Sequence, residues 1–224
     1  MRRALSYILI FAAIPLMIIL GVRFLDDRQF NLVSMAVTLL GCFCFYLSFE
    51  NKKIPTVEIV IIAVMVAIAS IGRVIFYPLP AFKPVTAIII LTAMYFGAEA
   101  GFITGSFTAL VSGIFYLQGP WVPFQMFVWG IIGFVAGVLQ EKNLLSEKLP
   151  LCVYGIISGA MFSLIMDIWT VISVDGTFSF ARYLTMVGIS MPFMLTYCVS
   201  NVVFLLILAK PLGNKFKRIK TKYL

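Results

Sequence analysis

Eight apolar stretches run along the chain, at roughly residues 4–24, 30–49, 56–76, 84–97, 100–116, 124–140, 150–173 and 184–209. Most have the length that an α-helix needs to cross a bilayer. Barrel strands would be about 9–11 residues long with alternating polarity. The pattern therefore predicts an all-α integral membrane protein. Pro55, after the polar Glu50–Lys53 stretch, suits the start of the third helix. The fourth and fifth stretches are short and meet at Gly97-Ala-Glu-Ala-Gly101. One broken helix is the alternative there; two helices are expected, because Glu99 would be costly at bilayer depth. The first stretch, Ala4–Val22, is long for the apolar core of a signal peptide. Arg23, Asp26, Asp27 and Arg28 follow it where a small-residue cleavage site would be needed, so it reads as a retained helix.

Composition reinforces this picture. Of 224 residues, 62% are hydrophobic and 12% charged, which excludes a water-soluble fold of this size. The net charge of +8 sits mostly towards the chain ends. With Met1 inside, the predicted cytoplasmic side holds twelve Lys and Arg residues and the outer side five: Arg23, Arg28, Arg73, Lys83 and Arg182. That bias predicts a multi-pass protein of the cell membrane with both termini cytoplasmic. The basic residues then read as topology signals and anionic-lipid contacts, with no nucleic-acid partner. Cys42, Cys44, Cys152 and Cys198 lie inside apolar runs without CxxC spacing and are expected to pack as small hydrophobes.

Candidate chemistry concentrates in two stiff, aromatic connections. Tyr77-Pro-Leu-Pro-Ala-Phe-Lys-Pro84 and Leu117-Gln-Gly-Pro-Trp-Val-Pro-Phe124 each hold several prolines, which fix φ and remove backbone donors. Charge bias puts both on the outer side. Their rings could belong to an interfacial aromatic belt. Trp121, between two prolines and flanked by Gln118 and Gln125, fits a ligand wall better, because amides beside rings suit a large, mostly neutral ligand. Within the apolar runs Asp167, Asn201, Arg73 and Glu58 stand out. Asp167 could be a proton relay, a ligand contact or a structural acceptor, while Asn201 suits a helix–helix hydrogen bond. Small residues four apart (Ala63/Ala67, Gly97/Gly101/Gly105, Gly133/Gly137, Gly155/Gly159) suit close helix packing inside the bundle, with a docking face for a partner helix as the sharper reading. The chain has no histidine, so it has no His-based triad or imidazole metal ligand. It also lacks a GxxxxGK[ST] loop for ATP. No catalytic constellation is visible, and the chain reads as a non-enzyme that binds no metal or cofactor of its own.

From Thr56 onward the chain resembles the S-components of energy-coupling factor (ECF) vitamin transporters, small six-helix proteins that capture substrate. The AxxxA of Ala63 and Ala67 matches the small-residue motif of that family's first core helix. Phe82-Lys-Pro-Val85, Phe96–Phe102, Gly119–Met126, Asn201–Phe204 and Lys210–Leu212 look most like a branch that includes cobalamin-specific members. The resemblance implies a six-helix core over residues 51–224 with a basic cytoplasmic tail, preceded by a two-helix extension over residues 1–50. It also implies partners: an EcfT-like coupling subunit docking at Ala63 and Ala67, and two cytoplasmic ATPases that hydrolyse ATP. The transported ligand would be a vitamin, cobalamin by this likeness, with a thiamine-, folate- or queuosine-related compound as the alternative. A standalone proton-coupled transporter using Asp167 is a further rival. The expected ligand contacts are Tyr77, Phe82 and Lys83 from the first loop and Gln118, Trp121, Phe124 and Gln125 from the second. Arg73, Asp167 and Trp169 would join them from the helices.

Overall fold

The computed structural model describes residues 55–116 and 119–223, together with Leu39, Cys42 and Tyr46. Apart from those three positions, the expected two-helix extension over residues 1–50 lies outside the described residues, as does Gln118. The described residues form six helices: α1 (Thr56–Ile75), α2 (Val85–Phe96), α3 (Ala98–Phe115), α4 (Val122–Glu141), α5 (Lys148–Asp175) and α6 (Phe180–Tyr223). They contain no strand, and five of the six are long and apolar enough to cross a membrane. The expected all-α membrane fold is therefore present.

The exception is α2, with 12 residues. At 1.5 Å per residue it reaches only about 18 Å, well short of the roughly 30 Å hydrocarbon core. Its run from Val85 to Ala93 is buried on every side, so it is the central helix of the bundle. Gly97 divides it from α3. The φ of 95° at that residue is open to glycine and strained for any residue with a Cβ, which makes the junction the expected two-helix break.

Two seams hold the bundle together. α3 and α4 meet backbone to backbone along Gly101, Gly105, Gly133 and Gly137. A Cβ on Gly101 would lie 2.5 Å from the Gly133 carbonyl oxygen, and one on Gly105 would run into the Trp129 carbonyl. α5 and α6 approach in the same way at Gly159, where an added Cβ would sit 2.7 Å from the Cys198 nitrogen. With little hydrophobic drive between helices in lipid, close approach and dispersion supply the attraction. These glycine pairs thus belong to internal packing. Ala63 and Ala67 do not: both are exposed on α1, among Val60, Val64, Ile68 and Ile71, while Ile62, Met65, Val66 and Ala69 pack inward. The described part of the extension touches α3, where the Tyr46 ring meets Phe102 and Phe107 edge-on at 5.8 and 6.0 Å.

α6 departs most from expectation. The apolar pattern ends it near residue 209, yet it continues for 44 residues to Tyr223, through Pro192 and Pro211. The basic tail is amphipathic. Leu212, Phe216 and Ile219 recur at helical spacing and pack on Met65 and Ile88, and Phe216 touches the rings of Tyr95 and Phe96 at 5.4 and 5.1 Å. Lys220 Nζ also donates to the Tyr95 carbonyl at 2.8 Å. The tail's charge concealed an apolar stripe that α1 and α2 bury.

Candidate substrate site

Helix direction alternates along the chain. The C-terminal ends of α1, α3 and α5 therefore share one end of the bundle with the N-terminal ends of α2, α4 and α6. A small cavity opens there, of about 40 Å³. Its walls fall into two groups. Trp129, Phe162 and Tyr197 are the aromatic part; Arg73, Lys83, Thr86, Gln125 and Asn201 are the polar part. Trp129 and Phe162 stack nearly parallel (16°, centroids 5.2 Å apart), and Tyr197 meets Phe162 edge-on at 5.0 Å. Such faces suit a flat ring.

Each polar group is held by its neighbours. Arg73, in the last turn of α1, is 8% exposed. Its guanidinium donates to Ser112 Oγ at 2.7 Å and lies 4.5 Å from the Tyr116 ring centre and 5.1 Å from that of Trp129. The Ser112 hydroxyl in turn donates to the Thr108 carbonyl at 2.5 Å, and the Tyr116 hydroxyl donates to the Arg73 carbonyl. Lys83 belongs to the first proline loop. Its N–H donates to Ser200 Oγ at 2.9 Å, and the Ser200 hydroxyl donates back to the Lys83 carbonyl at 3.0 Å. This clamp fixes the loop to α6 beside Ala81, whose φ of 61° is strained for a residue with a Cβ. Lys83 Nζ reaches over the Tyr116 ring, 5.5 Å from its centre. Burial, and then the neighbouring Arg73 charge, hold the Lys83 ammonium below the usual lysine range. Asn201 Nδ2 donates to the Gly155 carbonyl at 3.0 Å, the expected helix–helix bond, and the same side chain lines the cavity. Gln125, in the first turn of α4, differs from the rest: its buried Oε1 has no hydrogen-bond partner among the described residues.

Three of the expected contacts, Arg73, Lys83 and Gln125, thus meet at this cavity. Tyr77 is exposed, with its ring 5.2 Å from that of Tyr116, and is not among the lining residues. Phe82 turns away and packs on Phe76 and Phe204. Trp121 is exposed and folds against Gly119. Phe124 and Trp169 form a buried ring pair, 5.0 Å between centres, behind the lining. Asp167 accepts a 2.5 Å bond from Ser190 Oγ and is not among the lining residues. Trp129, Phe162, Tyr197 and Thr86 were not singled out as ligand contacts from sequence. The spacing of Trp129 from Gln125, one helical turn on, is the signal that could have found the first of them.

No group of His, Cys, Asp and Glu side chains among the described residues could hold a metal ion. An apolar helical bundle with a ring-lined cavity at one end, polar at a few fixed points, is an arrangement suited to a membrane protein that binds a small molecule. Residues 53–218, about three quarters of the chain, match the family model described as ECF-type riboflavin transporter, S component, and the chain belongs to that family. It is accordingly the substrate-binding subunit of an ECF transporter, a membrane-embedded component that associates with a coupling subunit and ATPase subunits. No curated protein and no solved structure matches the chain. The expected S-component identity stands on this match. The cobalamin branch draws no support from it, since the family's description names riboflavin.

Proposed function

We propose that this chain captures a flat heteroaromatic vitamin of the riboflavin type from the outer side of the membrane. An EcfT-like coupling subunit and two cytoplasmic ATPases would then drive its delivery inward. The observation that carries this reading is the combination of the Trp129–Phe162–Tyr197 faces with the Gln125 amide, whose Oε1 has no partner among the described residues. A fused-ring imide offers faces to stack on and an edge that alternates N–H with C=O. A primary amide is the complement of such an edge, accepting from the N–H and donating to a carbonyl. Cobalamin, the expectation from sequence, fits less well: a corrin with its side arms and nucleotide is several times bulkier than a tricyclic ring, and the cavity is small. Both termini are taken as cytoplasmic on the charge bias, which turns the cavity mouth outward. Ala63 and Ala67, exposed on α1, are the proposed contact for the coupling subunit.

Titration of the purified chain with riboflavin, followed by flavin fluorescence, tests the reading. Saturable quenching is expected, lost in Trp129→Leu. Saturable binding of cobalamin with no response to riboflavin would overturn it.

A further inference from the structure

Charge bias assigns the basic residues to the inner side only in general terms, and the structure singles out three of them. α6 has 44 residues, roughly 66 Å at 1.5 Å each and about twice the hydrocarbon core, so its last turns leave the apolar region. They do not leave the protein. Leu212, Phe216 and Ile219 share a cluster with Val57, in the first turn of α1, and with Tyr95 and Phe96, at the end of α2. These are the helix ends opposite the substrate cavity. With 20 residues, α1 is just long enough to cross the core, so Val57 marks its inner boundary. The tail is thereby held beside the bundle at the level where lipid headgroups begin.

Lys215, Arg218 and Lys222 recur at i, i+3 and i+7 and so share one flank of this apolar stripe. Among the described residues, they line a shallow cavity of about 360 Å³ together with Ile219 and Tyr223, and no acidic side chain joins them. All three cations are exposed, and none is in an ion pair among the described residues. Lys222 Nζ lies 5.1 Å from the centre of the Tyr223 ring. The other tail cations are placed differently: Lys220 is taken by the Tyr95 carbonyl, and Lys217 lies outside the lining. Three like charges on successive turns repel one another, and an anion seated between them turns that repulsion into attraction.

We propose that this flank of α6 binds an anionic phospholipid of the inner leaflet, with the headgroup phosphate held by Lys215, Arg218 and Lys222 and the glycerol and upper acyl chain laid along Ile219 and Tyr223. Arg218 supplies a fork of directional donors, and the two lysines supply point charges. The apolar part of the lining favours a lipid over a free anion, which has nothing to set against Ile219. A tyrosine ring beside basic residues also suits the headgroup level. The site lies at the end of the molecule opposite the substrate cavity, so it does not depend on what that cavity holds.

Thermal melts of the full chain in a neutral maltoside detergent test the site, with phosphatidylglycerol, phosphatidylcholine or inorganic phosphate added at the same phosphate concentration. Phosphatidylglycerol should raise the melting point by about 4 °C or more and phosphatidylcholine by less than about 1 °C. Combining Lys215→Gln, Arg218→Gln and Lys222→Gln should abolish the difference between the two lipids. A matched control, Lys142→Gln with Lys148→Gln and Lys217→Gln, removes the same charge from exposed positions on the same side and should keep that difference. Arg218→Lys alone retains the charge and should lose only part of the shift. Each shift is read against the variant's own lipid-free melt, so a general loss of stability cannot imitate the effect. An equal loss in both triple variants would mean diffuse attraction to the membrane and overturns the proposal. A shift from inorganic phosphate as large as that from phosphatidylglycerol also overturns it and gives the flank to free anions. So does the absence of any phosphatidylglycerol shift; if the first triple variant then also fails to retain the ATPase subunits, the flank belongs to a protein partner.

Discussion

Replacing Gln125 with methionine should make the protein more stable and a worse binder. Gln125 is 9% exposed, and its Oε1 has no partner among the described residues. A buried acceptor left unsatisfied costs about 1–3 kcal/mol. Methionine has nearly the same length and volume and no such acceptor, so Gln125→Met should recover part of that cost, about 1 kcal/mol. For a domain of 150–250 residues this corresponds to a rise in melting point of roughly 2–4 °C. Binding should move the other way. If the amide pairs with the substrate's ring edge, its loss removes about 0.5–1.5 kcal/mol of net hydrogen bonding and leaves a ligand N–H unpaired at about 1–3 kcal/mol. Together these predict a loss of tenfold or more in affinity. Thermal melts of the ligand-free chain in detergent, with riboflavin titrations of the same samples, measure both. The opposite signs are the diagnostic. A lowered ligand-free melting point would mean that the amide already has a partner. A raised one with unchanged affinity would mean that the amide is not part of the ligand contact.

Ala63→Leu with Ala67→Leu, on the exposed face of α1, should abolish ATP-driven uptake in cells and leave substrate affinity of the isolated chain within twofold; joint loss of both would place the pair in the fold instead. Gly133→Ala forces a Cβ onto the Gly101 carbonyl and should destabilise by about 1–3 kcal/mol, seen as a lower melting point; no change would show that the seam can open. Asp167→Asn keeps an acceptor for Ser190 and should leave ATP-driven uptake intact, whereas loss of uptake would revive the proton-relay reading.

The helices were legible because apolar run length is a direct readout of bilayer thickness, and the break at Gly97 because glycine clusters mark it. The extent of α6 was not. Between Lys210 and Lys222 the net charge dominates any hydropathy average and hides the stripe of Leu212, Phe216 and Ile219. The site divided on similar lines. Arg73 stood out because a charge inside an apolar run needs a reason, and Lys83 and Gln125 because they lie in or beside the two proline loops. Trp129, Phe162 and Tyr197 did not, since a ring in an apolar helix looks the same whether it faces a neighbour, lipid or a ligand. The proline loops misdirected attention in an instructive way. Their stiffness is real, but Phe82 uses it to lock onto Phe204 and Trp121 to cover Gly119, so the loops brace the mouth while the helices below supply the ring-stacking faces.

The α3–α4 seam also bears on how such a protein can change over time. Where two backbones touch through Gly101, Gly105, Gly133 and Gly137, no side chain can be accommodated, so neutral drift is closed at those positions. The cavity lining carries no such restriction: exchanging Gln125, Phe162 or Tyr197 alters what is held without disturbing the contact that holds α3 to α4. A scaffold divided in this way can acquire a new substrate through a few substitutions at one end. Its descendants would differ most in the residues that touch their ligands and least in those that carry no side chain.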